Sequence, residues 1–472
     1  MVTVRVAIAC IVLCLGCSPS HDLEAQSAAE EVVAFTEVNV IPMDRERILE
    51  RQTVVVRDGM IAEVGAFDAV AVPPEAVRIH APGQYLLPGL TDSHIHLRST
   101  DELVSYVAHG VTAVIHMSGA MSGAPDILKY RENLRSGALL GPMLFTTGPI
   151  LDGDPPIFAG VSEVVTIAEE ATQAVAEQRR AGYDFIKVYN NLTPDVLAAV
   201  TDAAHDEGMA VVGHIPRKAG RDRALQQALD AGLDLIAHGE EFFFTFFHSH
   251  VDSLLDEGQV PHPDSTGIPE AVRLTREAGT SVTPNLSFVA MTRIQLDSLD
   301  SVLNDPETRF LHPGVLDMWM EQNPTRRADI ERFDRREQAK YAFLKKLTKA
   351  LSDEEIPLLL GTDASAPGVF PGKSAHLELQ ELVDAGLTPY EALATATLNA
   401  GAFIDEHVPS SEPFGTVAPG QLANLILVSG NPLDDIRNIE HIGGVMVQGR
   451  WKTSAELARL REEIAASYRH AK

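Results

Sequence analysis

Beyond Cys17 the chain has no cysteine. Its three cysteines, Cys10, Cys14 and Cys17, all fall within the first 17 of 472 residues. The rest of the protein can therefore have neither a disulfide framework nor a thiol nucleophile. Positive charge is also scarce: 38 Lys and Arg stand against 66 Asp and Glu, a formal net charge of −28. Such a polyanion does not bind nucleic acid through its phosphates. There is no internal repeat and no low-complexity tract, and "GTDASAPG" lacks the Gly-x-Ser-x-Gly spacing of a serine nucleophile elbow. What remains is an ordinary globular composition, 45% hydrophobic, in a chain long enough for two or more domains.

The apolar start is a separate matter. "MVTVRVAIACIVLCLGC" carries one positive charge, Arg5, followed by an apolar run too short for a comfortable membrane span. It reads as an export signal over residues 1–17. "CLGCSPS" resembles a bacterial lipobox with Cys17 as the lipidated residue, although Cys14 stands where leucine is usual. The alternative is a plain secretory signal cut near "LEAQ". The protein is thus expected to be exported, either held on a bacterial membrane by a lipid anchor or free in the periplasm. Residues 18–30 are polar and read as a tether.

Short alternating apolar pieces joined by Asp-Gly-type turns fill residues 31–85, among them "QTVVVRDGMIAEVG". The same character returns over 406–452 in "GTVAPGQLANLILVSGNPLDDI" and "HIGGVMVQGRW". Together they predict one small β-sandwich built from both ends of the chain, with a helix over 453–472. Between them, over 86–405, short strands alternate with amphipathic helices such as "EEATQAVAEQRRAG" and "PDVLAAVTDAAHDEG". Eight strands are expected, from "YLLPGLTDSHIH" to "PLLLGTDA", which is the arrangement of a TIM (β/α)8 barrel. Long insertions follow the sixth and seventh strands.

Chemistry in such a fold sits at the carboxyl ends of the strands. There the first strand offers His94 and His96, the fourth Lys187 and Tyr189, the fifth His214, the sixth His238 and the eighth Asp363. His-x-His in an extended chain aims two imidazoles at one side, a beginning for a metal site. A lysine can snorkel, a histidine can cap a helix and an aspartate can serve a turn. Four histidines, a lysine and an aspartate at the ends of five strands are harder to assign to chance. The rival pair His248 and His250 has no suitably spaced partners downstream. "EFFFTFF" before it reads as a loop over the site, though simple packing explains it at least as well.

The ordered set His-x-His, Lys, His, His, Asp, with "LLPGLTDSHIH", "GYDFIKVYNNLTPDVL", "VVGHIP", "AGLDLIAHGEE", "LLLGTDA" and "EALATATLNAG", resembles the amidohydrolase superfamily. The nearest branch is the one with imidazolonepropionase-like enzymes and metal-dependent Xaa-Pro dipeptidases. Two positions depart from it: Asn424 stands where aspartate is usual, and His116 where arginine is usual. The resemblance implies two divalent metal ions, zinc by preference. His94, His96 and Asp363 would hold one, His214 and His238 the other, and a carboxylated Lys187 both. A lysine ammonium has only donors and cannot itself ligate a cation. It further implies a metal-activated hydroxide attacking a small-molecule amide or peptide C–N bond, with Asp363 as general acid–base. Tyr189 is a candidate oxyanion donor, with barrel packing an equal alternative. Arg217 and His116 are candidate substrate-binding residues, Arg217 as a carboxylate clamp. A cyclic amide, a lactone or aryl ester, or a catalytically dead binding protein are the alternatives. An oligomer is possible.

Overall fold

The structure, a computed structural model, describes residues 32–118, 127–221, 223–245, 255, 257–259 and 265–470. The expected leader with Cys17, the tether and the His248–His250 pair lie outside the described residues. Among the described residues no helix is long and apolar enough to cross a membrane.

Both ends of the chain meet in one eight-stranded sheet. Its order is Arg450–Thr453, Ile442–Val447, Leu425–Val428, Tyr85–Pro88, Val33–Val40, Leu49–Arg57 and Met60–Ala66, with Val77–His80 also paired to Val33–Val40. The join between the two ends is antiparallel, with Ile426 opposite Leu87. At the hairpin between Leu49–Arg57 and Met60–Ala66, Asp58 and Gly59 take φ of 52° and 79°. Two successive positive φ values match the twist of the strands, which is why Asp-Gly occupies this turn. Phe35, Val54, Leu86, Leu425 and Met446 fill the core of the sheet.

Parallel strands form two further sheets. One contains Leu90–Ile95, Val111–His116 and Met143–Thr146. The other contains Ser162–Val164, Ile150–Asp152, Phe185–Val188, Ala210–Gly213, Leu235–Ala237 and Ser281–Thr283. Isolated parallel bridges Thr147–Phe185, Val282–Leu358 and Ile95–Ala364 carry the order onward between them. Apart from Ser162–Val164, the strands are almost wholly buried, as parallel sheets require. Ala113, Ile115, Phe145, Phe185, Ala210, Val212, Leu235 and Leu359 pack in one cluster, whereas their neighbours Val114, Leu144, Ile186, Val211 and Ile236 join the larger core that includes the helices. The helix Ala168–Ala181 shows the matching period, burying Ala171, Ala174, Val175 and Gln178.

Two elements differ from expectation. "PLLLGTDA" is not a regular strand but two single bridges, at Leu358 and Ala364. The segment is still extended against its neighbours, with Leu359 N–H donating to Val282 (3.0 Å) and Ser93 N–H to Leu360 (2.7 Å). Asp363 breaks the pleat by adopting φ 65°. The short parallel pair Ile150–Asp152 and Ser162–Val164 was not expected. Three residues each give too short an apolar pattern to read.

Candidate metal centre

The six expected ligands stand where strand geometry puts them. His94 lies inside Leu90–Ile95 and His96 just past its end; Lys187 lies inside Phe185–Val188. His214 and His238 each follow directly on a strand, Ala210–Gly213 and Leu235–Ala237. Lys187 shares parity with Phe185 and therefore points to the same side.

Nε2 of His94 lies 3.3 Å from Nε2 of His96 and 3.3 Å from Nε2 of His238. Asp363 Oδ1 lies 3.0 Å from His96 Nε2 and 3.5 Å from His94 Nε2, and its Oδ2 lies 3.8 Å from His238 Nε2. A tetrahedral zinc ion with Zn–N bonds of about 2.0–2.1 Å spaces its ligand atoms about 3.3 Å apart, so this donor set suits a divalent cation. His94, His238 and Asp363 bring one ligand atom each within 4.8 Å of one another. His214 completes the group, its ring centroid 4.9 Å from that of His238.

Burial prepares these side chains as ligands. It holds His94 and His214 well below the usual imidazole range and His238 down to about 4, so the rings are neutral. For Asp363 burial acts the other way, yet the hydrogen bond from His96 and the basic groups around it, Lys187 among them, outweigh it and keep the carboxylate ionised. Lys187 is 1% exposed, and burial lowers its ammonium to about 8 against the pull of Asp363 and Glu241. His238 adopts φ 92°, rare for a non-glycine residue and a mark of a site whose surroundings fix it. Its N–H donates to Thr283 Oγ1 at 3.0 Å.

Several supporting residues were not singled out from the sequence. Asp92, two residues before His94 on the same strand, is fully buried. It accepts from His94 N–H (3.3 Å), Thr362 N–H (3.0 Å) and Thr362 Oγ1 (2.6 Å), tying the first ligand strand to the segment that carries Asp363. Burial pushes its carboxyl up to about 7. On the first turn of Glu240–Thr245, Glu241 reaches His214 Nδ1 (3.3 Å) and Glu240 approaches His238 Nδ1 (3.8 Å). Asn190 Oδ1 lies 2.9 Å from the same His214 nitrogen. Lys340, on the long helix Ile330–Asp353, bonds Glu240 at 2.7 Å. "AHGEE" held the signal for Glu240 and Glu241, since the acidic pair follows a candidate ligand histidine after one intervening residue. Partners of this kind orient ligand imidazoles.

The remaining expected site residues are placed as follows. Tyr189 is half-buried with its ring centroid 3.9 Å from that of His214, and burial raises its phenol above the usual range. His116 is buried, and its Nδ1 accepts from Leu97 N–H at 3.1 Å, so its contact is with the segment following His96. "EFFFTFF" does not form an apolar cover in its described part. Phe242 and Phe243 are 0% and 1% exposed in the core, because the segment is a helix whose apolar side turns inward. Phe244 packs against Arg217, Arg336 and Lys340.

Arg217 donates through Nη1 to Glu241 Oε2 at 2.6 Å, the two side chains 19% and 1% exposed. Removing one partner of a buried pair strands the other charge, at a cost of about 3–5 kcal/mol when both are fully buried. Arg217 is partly solvated, so Arg217→Met is expected to lose about 2–3 kcal/mol. Arg217→Met with Glu241→Gln is expected to recover at least half of that in thermal unfolding. Additive losses in the double variant would show that the two side chains do not act as a pair.

The fold is shared with known proteins. A curated relative, ochratoxinase from Aspergillus niger, is 24% identical over 458 residues, covering 84% of this chain and 81% of that protein. The crystal structure of a putative prolidase from Bifidobacterium longum superposes with a TM-score of 0.68 at 22% identity, covering 92% of this chain and 99% of that one. Bottromycin amidohydrolase superposes with a TM-score of 0.70 at 24% identity, covering 93% and 91%. At these identities the structural likeness establishes the fold. Identity comes from the sequence profile of the Amidohydrolase family, which matches residues 85–452, a stretch that contains all six expected ligands; the chain belongs to that family and is a hydrolytic enzyme.

Proposed function

We propose that the protein hydrolyses the C–N bond of a small amide, either an Xaa-Pro-type dipeptide or an N-acyl amino acid, at two divalent cations, zinc by preference. The parallel strands are taken to close as a (β/α)8 barrel over 86–405, beside a domain formed by 31–85 and 406–452. The observation that carries the reading is the meeting of three imidazole Nε2 atoms and the Asp363 carboxylate beside a buried lysine. His94, His96 and Asp363 would hold one cation and His214 and His238 the other, with Lys187 as a carbamate between them. Similarity to a putative prolidase favours the dipeptide class.

Bound there, the cations supply a nucleophilic oxygen at neutral pH and polarise the scissile carbonyl. Asp363, kept ionised, accepts the nucleophile's proton and returns it to the leaving nitrogen. The Tyr189 hydroxyl stays protonated and can donate to the developing oxyanion. For the substrate carboxylate the better candidate is Arg98 rather than Arg217, which is engaged by Glu241. Arg98 follows His96 by two residues, and its buried Nε finds no hydrogen-bond partner.

The test is a screen of dipeptides and N-acyl amino acids, each paired with its carboxamide. Amidation is expected to lower kcat/KM by about 10- to 100-fold, the range for losing a charged hydrogen-bonding partner. Equal rates for acid and carboxamide would remove the dipeptide reading in favour of cyclic amides, lactones or aryl esters.

A further inference from the structure

Phe158 is half exposed, at 50% of its surface, and its neighbour Ile157 is exposed at 49%. A single exposed apolar side chain is ordinary; what sets this pair apart is that the two are adjacent and stand beside the candidate site. The Phe158 ring centroid lies 5.6 Å from that of Tyr189, which in turn lies 3.9 Å from that of His214. One aromatic ring therefore separates this surface from the metal centre.

The segment is held in place. Asp152, fully buried, accepts through Oδ1 from Gly153 N–H (2.9 Å) and Asn191 N–H (2.7 Å), and through Oδ2 from Ile157 N–H (2.8 Å). Asn191 Nδ2 donates back to the Pro155 carbonyl at 2.7 Å. The two loops run so close that a Cβ at Gly153 would stand 1.8 Å from the Asn191 carbonyl oxygen. Lys218, next to Arg217, donates to the Asp154 carbonyl. Three loops from three strand ends thus converge and hold the backbone that carries the apolar pair.

We propose that Phe158 and Ile157 form the apolar subsite of this enzyme, receiving an aromatic or large aliphatic group of the substrate beside Tyr189. The inference rests on reading the chain as a small-molecule hydrolase, not on which bond it cleaves. Phe242 and Phe243 cannot take this role, because they are buried in the core.

The experiment compares matched substrate pairs, one bearing a methyl and the other a benzyl group at the same position, as amides, esters and lactones. The wild-type holoenzyme is expected to favour the benzyl member. Phe158→Ala should lower kcat/KM for the benzyl member about five- to tenfold, the range for one aromatic contact. The methyl member should stay within about twofold, and Phe158→Leu should fall between. Because the side chain is half exposed, Tm should move by no more than about 2 °C. No benzyl preference in the wild type, or an equal loss on both members of a pair, overturns the proposal. Cleavage of esters or lactones alone would defeat the amide reading while the benzyl-to-methyl ratio still tested Phe158.

Discussion

Lys187→Ala is expected to purify with little bound divalent metal and with hydrolytic activity lowered by about three orders of magnitude or more, since the metal-generated nucleophile goes with it. The wild-type protein should hold close to two equivalents per chain. The expectation begins with cost. An ammonium that is 1% exposed among four histidines has exchanged water for few counter-charges, and only Asp363 and Glu241 act to retain its proton. A free amine there can combine with carbon dioxide: the nitrogen lone pair bonds to carbon, one proton leaves, and the side chain becomes an anionic carbamate. That changes a donor-only group into an oxygen ligand able to meet two cations. Short carboxylates such as acetate or propionate, added with metal at tens of millimolar, should then restore part of both metal content and rate. A variant with normal metal content and normal rate would make Lys187 a structural residue.

The positions of the expected ligands were legible because they depend on local rules. Strand parity placed Lys187 on the same side as Phe185, and the strand ends placed His94, His96, His214 and His238 on one rim. Asp363 was legible by position, although its segment is not a regular strand, since bridges at Leu358 and Ala364 set its place. The residues that escaped notice act across long sequence separations. Asp92 reaches Thr362, Lys340 reaches Glu240, and Asp152 reaches Asn191; no periodicity connects such pairs. "EFFFTFF" left cover and packing both open, because an aromatic run does not show which side of a helix it will bury; its described part takes the packing alternative. Phe158 gave the opposite difficulty, a single aromatic in "PPIFAG" that becomes significant only once Asp152 has fixed the loop around it.

Asp363→Asn should fold normally and retain at least part of its metal while kcat falls by about 10²- to 10⁴-fold, the usual contribution of a general acid–base. The substitution is clean for a backbone reason. Asp363 adopts φ 65°, a conformation that asparagine tolerates as well as aspartate and that β-branched residues do not. The shape and one oxygen donor persist, so the contacts from His94 and His96 survive in part, whereas the negative charge and the ability to carry a proton are lost. Weakened metal binding and lost proton transfer can be separated by measuring rate as metal is added to saturation. If proton transfer is the defect, kcat stays low at full occupancy by elemental analysis. It should fall least for substrates whose leaving group needs no protonation, such as esters of acidic phenols. Recovery of the wild-type rate on amides at saturating metal would reduce Asp363 to a ligand and move the proton-carrying role to another group on the same rim.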